Sequence, residues 1–168
     1  MEERAQGRTD IPLNEKGISQ AEDLQDKIAG MKFDICYASP LKRALKTAEI
    51  AVDGKCPIVC NDLLVERCFG DFEGKQGKDW LEIMNGVDVF DRRLNYADHG
   101  MEPIRDVLER SQKFLELIKS ENSDDARVLV VAHGVLLKTL HFNVVGYDDN
   151  TNFFEFHLKN GELREYDI

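Results

Sequence analysis

Apolar residues recur along the chain in two alternating rhythms, and the handover between them predicts the fold. The run Val-Leu-Val-Val at 128–131 is too short and too β-branched for a buried helix, so it predicts a parallel strand covered on both faces. Val135, Leu136, Thr139 and Leu140 then recur at helical spacing, and Gly134 lets the backbone turn sharply between the two elements. His133 is therefore expected at the carboxyl end of a central strand and beside a helix N-terminus. Ligands gather at that rim of open α/β sheets, and the first amides of a helix favour anions. A hydrogen-bonded core histidine is the plainer alternative.

The same handover occurs earlier. Asn14 suits the N-cap of a helix whose apolar stripe runs through Ile18, Ala21, Leu24 and Ile28 to a stop at Gly30. Residues 33–38 alternate and are β-prone, and Ser39-Pro40 opens a helix through Leu41, Ala44, Leu45, Ala48 and Ile50. Residues 57–60 predict a short strand, and residues 63–74 a loop rich in charge and glycine. Trp80, Ile83 and Met84 suggest a short helix, whereas residues 86–100 show no period and read as a lid over a site. Residues 103–120 predict a longer helix carrying Val107, Leu108, Phe114, Leu115 and Ile118. Residues 152–158 and 162–166, around the turn Lys159-Asn160-Gly161, read as a hairpin. With no repeat or boundary in sight, the pattern predicts a single α/β domain over residues 1–168.

Composition narrows the partners. The chain has 168 residues, enough for a real core, and a net charge of -10, which argues against nucleic acid or an anionic membrane held by a general basic field. Positive charge for an anionic ligand must then be local. No apolar run approaches the ~18 residues of a membrane span, and the polar opening is unlike a signal peptide, so a cytoplasmic location is expected. Cys36, Cys56, Cys60 and Cys68 lack paired metal spacing and read as reduced thiols; no metal and no cofactor is expected.

Two further positions share the rim with His133. Arg43 falls in the first turn of a helix that follows a strand, placed for bidentate capture of a phosphate or carboxylate. An exposed arginine paired with a glutamate is as common a reading. Glu66, beside Arg67 in a glycine-punctuated loop, is a candidate proton donor to a nearby group or else a merely solvated carboxylate.

Four phrases in order change the balance. They are Gln6-Gly7-Arg8-x-Asp10-x-Pro12-Leu13-x-Glu15-x-Gly17, Tyr37-Ala38-Ser39-Pro40-Leu41-x-Arg43-Ala44, Glu66-Arg67-x-Phe69-Gly70-x-x-Glu73-Gly74, and Val130-Val131-Ala132-His133-Gly134. Together they resemble the histidine phosphatase superfamily, which contains cofactor-dependent phosphoglycerate mutase. The resemblance implies a three-layer α/β/α fold with a mostly parallel sheet and a small phosphorylated metabolite as ligand. It also implies attack by a neutral imidazole on phosphorus, giving a phosphohistidine. Arg43 matches the clamp on the transferring phosphoryl group, His133 the second histidine on that group, and Glu66 the carboxyl that protonates the leaving oxygen. Gln6, Gly7 and Arg67 match substrate-facing positions, and the Gly134 amide would add a donor.

The family's nucleophile lies in an Arg-His-Gly motif on a first strand well before the Gln-Gly pair, yet only five residues precede Gln6 here. His99, His141 and His157 fit no motif. The expectation is a phosphatase-type chain shortened at its N-terminus and lacking turnover in this form, or else a non-catalytic remnant that binds phosphorylated ligands or a partner. In the family that first strand neighbours the strand bearing His133, so an exposed sheet edge is expected, and with it either a homo-oligomer or reduced stability. Sixty-seven positions run from Glu66 to His133, little room for the insertion of the mutases, which favours a phosphatase.

Overall fold

A computed structural model describes residues 4–76 and 99–168. The predicted helix at 80–84 and most of the predicted lid lie outside the described residues. Three parallel strands, β1 (Ile35–Ala38), β2 (Ile58–Cys60) and β3 (Val128–Val131), form a sheet in the order β2-β1-β3. Among the described strands the middle position thus belongs to β1, not to β3 as the apolar run suggested. Both strands are nonetheless covered on two faces, which is why neither shows a polar alternation.

Side-chain alternation sorts the layers. Cys36, Ala38, Leu129 and Val131 face one side, against α1 (Glu15–Ile28) and α2 (Lys42–Val52). Tyr37, Ile35, Val128 and Val130 face the other, against α3 (Ile104–Glu121) and α4 (Gly134–Val145). The result is an α/β/α sandwich. Asn14 caps α1 as expected, its Oδ1 accepting from the Gly17 amide at 2.9 Å. Asp10 accepts from the Lys42 amide at 2.7 Å and so ties the N-terminal loop to the start of α2.

The expected C-terminal hairpin is corrected. Its turn closes, with the Glu162 amide donating to Lys159 at 3.0 Å, but the flanking residues form a short helical turn, Phe153–Glu155, and no ladder. Side-chain anchors hold this tail instead. Phe156 stacks on His141 of α4 at 3.9 Å, Tyr166 donates or accepts at 2.8 Å with His141, Lys27 of α1 donates to the Gly161 carbonyl, and Arg127 pairs with Glu165. The tail therefore touches both helical layers and the foot of β3 without donating to its outer edge. Two isolated arms without a neighbouring strand to template them gain too little to pair. All four cysteines are free, and burial pushes the Cys36 thiol up to about 12.

Candidate active site

The strand ends deliver three of the predicted residues to one place. His133 lies two residues past β3 and immediately precedes α4; its Nε2 lies 2.8 Å from the hydroxyl of Ser39, the residue after β1. Only 8% of His133 is exposed, and burial, with help from the Arg43 and Arg110 charges, lowers its pKa to about 3. The imidazole is therefore neutral near pH 7, with one nitrogen able to donate and the other to accept.

Arg43, half-buried in the first turn of α2, spends two of its five donors on the loop below it: Nη1 on the Thr9 carbonyl at 2.9 Å and Nη2 on the Gly7 carbonyl at 2.7 Å. Burial pulls its pKa down while Glu66, Asp10 and Glu73 pull it up, so the guanidinium sits among three carboxylates. Gly7 has to be glycine: its φ is +52°, and a Cβ there would lie 2.2 Å from Glu73 Oε1. Glu73 fixes that loop by accepting from the Arg8 and Thr9 amides at 2.9 Å each, the Thr9 hydroxyl at 2.6 Å and the Phe69 amide at 3.1 Å. These bonds also hold its own carboxyl below the usual range against the opposing effect of burial.

Glu66 is buried, and its seat is the start of α4. Oε1 accepts from the Leu136 amide at 3.2 Å and the Arg67 amide at 2.8 Å, Oε2 from the Val135 amide at 3.1 Å. Burial raises its pKa even so, outweighing those three amides and the Arg110 charge. Such a carboxyl keeps a proton to higher pH than a solvated one, and Oε2, with the single amide contact, has the more open lone pair. This arrangement differs from the expected use of the α4 terminus. Two of its first amides serve an internal carboxyl rather than an incoming anion, and a Cβ at Gly134 would sit 4.0 Å from Glu66 Oε2.

The other predicted contacts separate. Gln6 is exposed at the rim, and its carbonyl closes a turn with the Thr9 amide at 3.0 Å. Arg67 is fully enclosed, with Nε donating to the Glu102 carbonyl at 2.7 Å. His99 approaches Asp71 and the Phe72 ring, His141 holds the tail, and His157 is exposed. Sequence reading missed Ser39 and Glu73, although both stand inside the quoted phrases. It also missed Lys138, buried one turn into α4 with Glu66 raising its pKa against burial, and the Glu102–Arg110 pair. Arg110 carried no signal beyond its place on the flank of the α3 apolar stripe.

Comparison with known proteins identifies the family of this fold. The family model described as histidine phosphatase superfamily (branch 1) matches residues 1–168. The chain is 31% identical over 172 residues to the uncharacterized phosphatase PhoE of Bacillus subtilis, covering 98% of this chain and 82% of that one. It is 30% identical over 151 residues to a 2,3-bisphosphoglycerate-dependent phosphoglycerate mutase of Cytophaga hutchinsonii, covering 85% and 71%. The solved structure of a mycobacterial glucosyl-3-phosphoglycerate phosphatase superposes with a TM-score of 0.80 at 26% identity, covering 94% of this chain and 78% of that one. The chain therefore belongs to the histidine phosphatase superfamily, and the relatives named are phosphatases and a phosphoglycerate mutase.

Proposed function

We propose that these residues form a phosphomonoester hydrolase site of the phosphohistidine type, acting on a small phosphorylated metabolite. The observation that carries the reading is Glu66: a carboxyl of raised pKa, seated on α4 amides, beside a neutral His133 and the Arg43 guanidinium. In the first step an imidazole nitrogen attacks phosphorus, the P–O bond to the alcohol breaks, and the Glu66 proton passes to the leaving oxygen. Water then attacks phosphorus, the Glu66 carboxylate takes its proton, and the P–N bond breaks to give phosphate and free imidazole. Arg43 offers its remaining donors to the equatorial oxygens, and His133 donates one N–H to the same group. The sixty-seven positions from Glu66 to His133 favour hydrolysis over mutase chemistry.

The nucleophile is assigned by resemblance to an Arg-His-Gly motif, and none of His99, His133, His141 and His157 stands in one. We therefore expect this 168-residue form to bind phosphate without turnover. The test compares it with the same chain carrying an Arg-His-Gly strand ahead of Arg4. The shorter form should bind vanadate or inorganic phosphate, with Arg43→Ala weakening binding by roughly 10- to 100-fold, as for loss of a charged donor pair. It should give no burst of phosphoenzyme. The extended form should hydrolyse p-nitrophenyl phosphate, and Glu66→Gln should then cost about 10²–10⁴ in kcat. Acid-labile phosphate on His133 in stoichiometric amount would refute the assignment, and an extended chain that binds phosphate but stays inert would favour a binding module.

A further inference from the structure

We propose that Arg110 is a positioning residue for the Glu66 carboxyl, gripping the chain on both sides of the acid from α3. The inference rests on the reading of Glu66 as the proton donor. Arg110 is largely buried, with its side chain 13% exposed. Its Nε and Nη2 donate to the two oxygens of Glu102 at 2.9 and 3.1 Å, and its Nη1 donates to the carbonyls of Leu63, at 2.8 Å, and Val65. Val65 is the residue before the acid. Glu102 completes the grip on the other side, accepting from the Cys68 amide at 3.1 Å and, through its carbonyl, from Arg67 Nε at 2.7 Å. Residues 63, 65, 67 and 68 are thus held by one Arg–Glu unit, while the Glu66 carboxyl alone reaches across to α4.

That division of labour suits a planar fork and no other side chain. A buried guanidinium is costly unless every donor is aimed, and here the fork is bidentate on a carboxylate while its third corner spans two carbonyls. Lysine at this position would keep the charge but not reach all four oxygens. The charge has a second consequence. Glu66 is faced by Arg43 from α2, Lys138 from α4, Arg8 through Nε on the Glu66 carbonyl at 3.2 Å, Arg67 beside it, the neutral His133, and Arg110 from α3. Arg110 opposes the upward effect of burial on Glu66 and joins burial and Arg43 in holding His133 down. Both halves of the site therefore feel one residue that touches neither.

The test is a carbon-detected NMR titration of the Glu66 carboxyl, which needs no turnover. Arg110→Met combined with Glu102→Gln removes the buried pair together, so no orphan charge is left to unfold the protein. Its Glu66 midpoint should move upward from the parent's, and Arg110→Lys, which keeps the charge but loses the fork on the flanking carbonyls, should recover only part of that shift. A folded double variant with an unmoved midpoint overturns the proposal. The parent supplies a measurement that requires no variant to fold: the Arg110 Nε–H resonance should show an inflection at the Glu66 midpoint, and Glu66→Gln should abolish it. A parent resonance blind to that midpoint overturns the proposal equally. Phosphate binding by the parent tests the site reading separately, so a chain that shifts as expected but ignores phosphate would leave Arg110 in place and remove the phosphatase assignment.

Discussion

At the scale of single residues, the site is set by two groups that titrate in opposite senses. His133 falls to about 3 on folding, so its stabilising contribution is present above the ordinary imidazole value of 6.5 and is lost as pH falls toward the folded one. Glu66 is raised, so its contribution is complete below the ordinary 4.5 and is lost as pH rises through the folded value. From the ordinary 4.5 up to the folded value of Glu66 the two slopes oppose each other. Glu66→Gln removes one of them. Urea unfolding of that variant should then lose roughly 2 kcal/mol between pH 6.5 and pH 5, at about 1.4 kcal/mol per pH unit. A variant whose stability is flat over that range would contradict the burial of a neutral His133, whereas a profile no steeper than the parent's would contradict the raised carboxyl of Glu66.

At the scale of elements, two loops turn on left-handed glycines whose surroundings differ. Gly70 has a φ of +52°, and a Cβ there would lie 2.0 Å from the His99 carbonyl and 2.5 Å from the Gly100 backbone. Gly54 is also left-handed, at +69°, but meets nothing within 4 Å. Gly54→Ala should therefore cost about 1 kcal/mol for strain alone, and Gly70→Ala clearly more, with thermal unfolding to rank them. Equal melting temperatures would mean that the 99–102 segment gives way freely. The strands and long helices were legible because their apolar spacing is local: α1, α2 and α3 fall within two residues of expectation, down to the Asn14 cap. Arg43, Glu66 and His133 were legible as wording rather than as geometry, since nothing in a periodic pattern says that residues 66 and 135 touch. The hairpin failed for the opposite reason. Its alternation and turn were genuine local signals, but pairing depends on a neighbouring strand, and Phe156 and Tyr166 found His141 instead. Glu102 and Arg110 were invisible because each is an ordinary helix-region charge until the fold brings the 63–68 segment against them.

At the scale of the molecule, the described sheet has two edge strands, β2 and β3, each paired only with β1 among the described residues. Among the described residues the outer side of β3 has no ladder partner, and the tail is held by side-chain anchors to α4 and α1 instead. An edge of this kind pairs with another chain or costs stability. Sedimentation velocity at increasing concentration should therefore show self-association of this form, or else its thermal unfolding should fall below the usual range for its size. A monomer with ordinary melting behaviour would show that the tail shields the edge well enough by itself. The net charge of -10 works against association at low salt, so raising ionic strength should strengthen any dimer.

The bonds from Arg43 to the Gly7 and Thr9 carbonyls tie the proposed ligand contact to the loop below it. A phosphoryl group bound as proposed, by the remaining Arg43 donors, would share the planar cation that braces the Gln6-Gly7-Arg8 bend, so binding and loop order would be coupled. Occupancy should consequently be readable at a distance, as faster or slower hydrogen exchange of the Ala5 and Thr9 amides when vanadate is added. A lysine at position 43, with a single nitrogen to give, would have to abandon one duty to perform the other.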